Sequence, residues 1–225
     1  MSKNIIMQHY EGATMPEEIL ASIENIKTYA TKCDAEYKLL VGYPFSKRLN
    51  FICQKLAVLN EEYDEYDNVV IVDTDMYERN GQTENIFEVE GVGMRNDLQS
   101  SLLLKLCQQY PLLTNPTGPY WGGAIWKFTR KQRQKLRRYI NENEMVPFNN
   151  NFNDEGIMHR LGSLAGLKQE NTTLPNGFKW CHCSYRDGVE SAAMIHIRPK
   201  ITPTGPKRPK VETWKKFVQR KLIAA

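Results

Sequence analysis

The feature that most constrains this chain is Val69-Val70-Ile71-Val72, four consecutive β-branched residues that run into Asp73-Thr74-Asp75. β-Branched side chains favour extended backbone, and four in a row leave neither face of a strand polar enough for water. A strand of this kind belongs inside a sheet covered on both faces, as in α/β proteins. The upstream segments fit that setting. Ile5-Ile6-Met7 predicts a first buried strand and Tyr37 to Val41 a second. Between them, residues 16–32 predict a helix. Pro16 suits its first turn, Glu17 and Glu18 complement its positive end, and Ile19, Ile23, Ile26 and Ala30 recur at helical spacing. Residues 47–62 predict a second helix, with Leu49, Ile52, Cys53, Leu56 and Leu59 on one face. The first 75 residues therefore read β-α-β-α-β, which implies a mainly parallel sheet flanked by helices.

The remainder is more mixed. Residues 96–109 predict a helix, 115–119 a loop, and 122–128 a strand. A basic helix follows over 129–142, capped by Thr129. An asparagine-rich loop at 149–153 leads into a helix over 154–164, and Ala193 to Ile197 predicts a last strand. Beyond it, Pro199, Pro203, Pro206 and Pro209 predict a stiff, extended linker. Val211 to Ile223 then forms a basic amphipathic helix.

Bulk properties narrow the classes further. With 41% hydrophobic and 25% charged residues among 225, the composition is that of an ordinary globular domain. No apolar stretch approaches the roughly 18–20 residues of a membrane span. The net charge of +4 is concentrated in the tail. Residues 201–225 carry seven basic residues and one acid, Glu212, so residues 1–200 are slightly acidic. Such a body lacks the basic surface that nucleic-acid binding requires, and no nucleic-acid partner is expected. The five cysteines are odd in number and scattered, which is no disulfide framework. Cys181-His182-Cys183 has no second pair at zinc-ligand spacing. An N-terminus that enters a strand directly fits a cytoplasmic setting.

In parallel α/β sheets, ligands bind beyond the carboxyl ends of the strands. Asp73 and Asp75 stand at such an end. Two carboxylates at a rigid strand end can share one hard divalent cation, Mn²⁺ or Mg²⁺, and that cation can offset the charge of a diphosphate. The same letters serve DxD phosphatases, but there the motif usually ends the first strand, whereas here it ends the third and Met76-Tyr77 follows. A phosphotransferase would need a glycine-rich phosphate loop, and Glu11-Gly12-Ala13 is too poor in glycine. A non-catalytic nucleotide-sugar or carbohydrate binder of similar fold stays open.

The ordered set of motifs resembles a GT-A-fold glycosyltransferase, most closely the small chlorella-virus members. Arg48 to Lys55 and Val69 to Asp75 are similar to the family's helix, strand and DxD. Trp121-Gly122-Gly123-Ala124-Ile125 resembles its glycine-bearing acceptor-side strand, and Asn153 to His159 its acidic helix start. Ile195 to Lys200 resembles its closing metal histidine and phosphate lysine, although the family often has a glycine after that histidine and a lysine six residues on.

The resemblance implies a single GT-A-like domain over 1–200, with 1–75 as the nucleotide-binding half and 76–200 as the acceptor half. It implies a hexosyl- or deoxyhexosyltransferase using a UDP-sugar donor and a glycan or glycoprotein acceptor. Asp73, Asp75 and His196 would hold the metal. Gln8, Tyr10, Arg48, Lys55, Asp73, Thr74, Gly122, Gly123 and Lys200 would surround the donor. Of the paired acids Asp154 and Glu155, one can be explained as a helix-dipole partner and the other as a catalytic carboxylate. For the tail, three readings stand: contact with an anionic membrane, docking on the acidic body, or a lead into a further domain. Every donor-site candidate precedes residue 201, so the tail is expected to be dispensable for donor hydrolysis.

Overall fold

The computed structural model describes residues 2–95, 121–146, 148, 153–167, 174, 177–200 and 204–224. The expected helix over 96–109 and loop over 115–119 lie outside the described residues, as do 149–152 of the asparagine-rich loop.

The central sheet is built on β1 (Asn4–Tyr10), β2 (Glu36–Val41) and β3 (Asn68–Val72), all parallel. The apolar β3 is interior as expected. It pairs with β1 on one side and antiparallel with β6 (Trp121–Thr129) on the other, Val72 opposite Ile125. A short β5 (Gly93–Arg95) closes the order β2-β1-β3-β6-β5. The fold is thus α/β, with a mixed central sheet between helical layers.

Strand alternation divides the core. Ile5, Met7, Val69 and Ile71 face Leu56, Leu59, Trp126 and Leu161. Ile6, Val70 and Val72 face Ile26, Tyr29, Met76 and Trp180. Helix α1 (Glu17–Lys32) supplies Ile26 and Tyr29 to the second face. The basic helix α2 (Arg130–Arg137) starts in a capping box between Thr129 and Gln132 and buries Leu136. A short α3 (Glu142–Met145) follows, then α4 (Asn153–Leu164), which contributes Ile157, Met158 and Leu161 to the first face.

The segment expected as a second α-helix is a 3₁₀ helix over Phe51–Leu59. Its entry turn is held by Gln54, which is fully buried. The Gln54 amide nitrogen donates to the carbonyls of Ser46, Leu49 and Asn50, and its oxygen accepts from the backbone N–H groups of Phe45 and Ser46. One side chain thus contacts five backbone groups, two of the three carbonyls sharing an N–H, which fastens the 45–50 turn against the helix start. Arg48 lies in that turn, before the helix that carries Lys55.

A second, three-stranded sheet was not expected from sequence. It comprises β4 (Met76–Glu78), β7 (His182–Cys183) and β8 (Met194–His196), in the order β4-β8-β7. A third apolar cluster covers it: Tyr77, Ile195 and Ile197 pack with Trp214, Phe217 and Ile223. Those last three belong to the tail, whose helix α5 runs from Lys210 to Gln219. The Asn80 N–H donates to the Leu222 carbonyl at 2.8 Å and fixes the helix end. The apolar face that sequence offered to a membrane is therefore spent on the body. Among the described residues, no helix is long and apolar enough to cross a membrane.

Candidate metal and nucleotide centre

The DxD turn is clamped from two sheets. The Asp73 N–H donates to the Ala124 carbonyl of β6 at 2.9 Å. The Asp75 carbonyl accepts from the Ile197 N–H at 2.8 Å, next to His196. β4 starts directly after Asp75, and its pairing with β8 sets Met76 opposite His196. This register brings together groups far apart in sequence. One ligand atom each from Asp73, Asp75 and His196 lies within 4.8 Å of the others. Two carboxylates and an imidazole suit a divalent cation of the Mn²⁺ or Mg²⁺ class.

The two aspartates differ in surroundings. The Asp73 side chain is 29% exposed and pairs with Lys55 at 2.5 Å. The Lys55 ammonium also donates to the Gly123 carbonyl at 2.8 Å and lies 2.9 Å from Asp154 Oδ2. Burial alone would lower the Lys55 pKa, but the Asp154 and Asp73 carboxylates outweigh it and hold the ammonium charged. Burial pushes the Asp154 carboxyl upward, and the Lys55 ammonium at 2.9 Å opposes that shift.

Asp75 is buried, with Oδ1 at 3.0 Å from His196 Nε2. Its other oxygen, Oδ2, forms an ion pair with Lys210 of the tail. Burial disfavours the charge on Asp75, yet His196 and Lys210 hold its pKa well below the usual carboxylate range. Burial likewise works against charged His196, and Asp75 reverses it, raising the histidine well above its ordinary value. Cys181 Sγ lies 3.6 Å from the other ring nitrogen, Nδ1.

Lys55, Asp73, Asp75 and Lys210 border a cavity of about 530 Å³ at the carboxyl ends of β1 and β3, and His196 stands outside its lining. Tyr10, Lys55, Asp73, Thr74 and Asp75 line it as expected. His9, Phe51, Arg198 and Lys210 line it as well, and sequence reasoning missed all four. His9 Nε2 contacts the Gly42 carbonyl at 2.8 Å, and burial lowers its pKa, so the ring is neutral. None of the four carried a sequence signal of its own; the 48% exposure of Phe51 emerges only in the folded structure.

Other expected residues stand elsewhere. Gln8 is fully buried behind the wall. Its amide nitrogen donates to Ser22 Oγ and the Asp73 carbonyl, and its oxygen accepts from the Tyr37 hydroxyl. It thereby supports the Asp73 backbone. Arg48 pairs with Glu142 at 3.7 Å and is outside the cavity wall. Lys200 is also outside it, its carbonyl accepting from Ser184 Oγ. Gly122 and Gly123 do not line the cavity. Gly123 is required by its neighbours: a Cβ there would stand 2.6 Å from Asp154 Oδ2 and 2.9 Å from Glu155 Cγ. Its N–H donates to Glu155 Oε1 at 2.7 Å. The paired acids thus pack on the β6 backbone, and neither lines the cavity.

No family model matches the sequence, and no curated protein matches it. Among solved structures, the chain is similar to the crystal structure of a glycosyltransferase involved in the glycosylation of the major capsid of PBCV-1. The match has a TM-score of 0.55 at 8% identity and covers 96% of this chain and 99% of that one. At this identity the likeness establishes a shared fold, the GT-A-like α/β architecture that the ordered motifs implied.

Proposed function

We propose that this chain is a metal-dependent glycosyltransferase, moving a hexosyl or deoxyhexosyl group from a nucleotide-sugar donor, first of all a UDP-sugar, to a glycan or glycoprotein acceptor. The observation that carries the proposal is the convergence of Asp73, Asp75 and His196, with both aspartates on the wall of the cavity at the strand ends and His196 buried against Asp75. The fold shared with a glycosyltransferase supports it.

A divalent cation bound there would offset the charge of the diphosphate leaving group. Every other part of the role falls to side chains. Lys55 fixes the Asp73 carboxylate from below, so the open side of Asp73 faces the cavity with little freedom to turn. Asp154 keeps Lys55 charged and oriented, and we assign it this positioning role rather than that of acid or base. Glu155, half-buried and anchored to the Gly123 N–H, is the acid retained for the acceptor side. Tyr10 and Phe51 provide apolar surface for a base, and Arg198 provides a cation for the diphosphate.

The test is donor hydrolysis over a panel of UDP- and GDP-sugars with and without Mn²⁺, reading released nucleotide. Metal-dependent release from at least one donor supports the proposal. Absence of release, together with absence of Mn²⁺-dependent nucleotide binding, refutes it.

A further inference from the structure

We infer that Lys210 is a tethered counter-ion for the acidic centre, which neutralises Asp75 in the metal-free protein and must leave it when a divalent cation binds. The inference rests on the proposed donor site and adds an order of events to it. Both Asp75 oxygens are already engaged, Oδ2 by the Lys210 ammonium and Oδ1 by His196 Nε2 at 3.0 Å. A cation seeking lone pairs on Asp75 therefore competes with two N–H donors, and Arg198 Nη1 lies 3.3 Å from His196 Nε2 beside them. Of these, Lys210 is the one able to withdraw. Its side chain is 40% exposed against 11% for Asp75, so it closes the carboxylate from the solvent side.

The base of that side chain is fixed while its end is free to swing. Lys210 is the first residue of α5, behind Pro209, and α5 is held to the body by Trp214 and Phe217, 4% and 0% exposed. Four flexible methylene groups then carry the ammonium. Lys210 and Arg198 both line the cavity, so an ammonium released from Asp75 stays within the space proposed for the donor. A diphosphate is the anion that would receive it. Metal alone must break the Asp75–Lys210 pair without compensation, whereas metal with nucleotide gives Lys210 a new partner. The two ligands should therefore bind with positive coupling, and linkage requires that coupling to be reciprocal.

The experiment is calorimetric titration of the full chain with Mn²⁺ alone, with UDP alone, and with Mn²⁺ at saturating UDP. It compares the wild type with Lys210→Met, Lys210→Arg and Lys207→Met. Lys210→Met should bind Mn²⁺ alone about tenfold tighter and lose most of the coupling to UDP, within the usual range of allosteric couplings. Lys210→Arg keeps the charge and should keep the coupling. Lys207→Met removes a nearby exposed charge and should change neither quantity, which separates the Asp75 contact from the general field. Unchanged or weaker Mn²⁺ binding in Lys210→Met, or an equal gain in Lys207→Met, overturns the inference. Absence of Mn²⁺ binding in every protein, even with UDP, refutes the donor-site reading beneath it instead.

Discussion

Met76 stands directly opposite His196 in the antiparallel pair of β4 and β8. The chain leaves β3, spends three residues on the DxD turn, and enters this second sheet at once. The pairing register therefore fixes the separation of Asp75 and His196 by backbone hydrogen bonds. A one-residue slip would turn Met76 and His196 to opposite faces and disperse the centre. The second sheet thus supports the candidate metal-ligating set, and the tail helix covers that sheet.

The centre should respond to pH in a defined way. His196 has a raised pKa in the folded protein, so its contribution to metal-free stability is fully present below its ordinary 6.5 and is lost as pH rises through the raised value. Asp75 has a depressed pKa, so its contribution is present above its ordinary 3.8 and is lost as pH falls through the depressed value. Coordination requires His196 Nε2 without its proton, so Mn²⁺ affinity should climb by up to about tenfold per pH unit below the raised histidine value. His196→Ala should flatten that slope and weaken Mn²⁺ binding less than loss of the Asp75 charge does. Equal slopes for the wild type and His196→Ala would remove the histidine from the ligand set.

Gly123→Ala tests the packing beneath Lys55. The new methyl group would meet Asp154 Oδ2 and Glu155 Cγ, both at the start of a helix anchored in the core. Displacing them should cost about 1–3 kcal/mol by chemical unfolding. It should also reduce donor turnover, because the Lys55–Asp73 pair is held from the same point. Full stability together with full turnover would show that the acids give way freely.

The tail should prove integral to the fold, and donor hydrolysis should depend on it, whereas the sequence led to the expectation that hydrolysis does not need it. Phe217 is fully buried against Tyr77 and Ile195, so Phe217→Ala should cost about 3–5 kcal/mol. Truncation after Lys200 should lower the unfolding temperature and reduce donor hydrolysis. A truncated protein as stable and active as the full chain would contradict the docking described here.

What could be read from sequence follows physical range. Val69 to Val72 announced an interior strand because β-branched residues act locally, and Asp73 and Asp75 inherited their position from it. His196 was legible as a strand-end histidine, but its partner strand was not, since three residues of Met76-Tyr77-Glu78 carry too little periodicity to register. The 3₁₀ form of 51–59 carries no mark in the helical spacing of its apolar residues, and the reach of Gln54 back to Ser46 appears only in the folded turn. Lys210 is 135 residues from Asp75 and carries no local signal beyond its charge. In the tail, the amphipathic pattern of Val211 to Ile223 was legible, but periodicity does not say which surface covers its apolar side.

The central claim is tested most directly by titrating UDP into the protein with and without Mn²⁺, for the wild type and Asp75→Asn. The account predicts Mn²⁺-dependent UDP binding in the wild type and loss of most of that dependence in Asp75→Asn, since a neutral amide is a far weaker ligand for a hard cation. Circular dichroism should show the variant folded. Undiminished Mn²⁺-dependent UDP binding in a folded Asp75→Asn protein would contradict it.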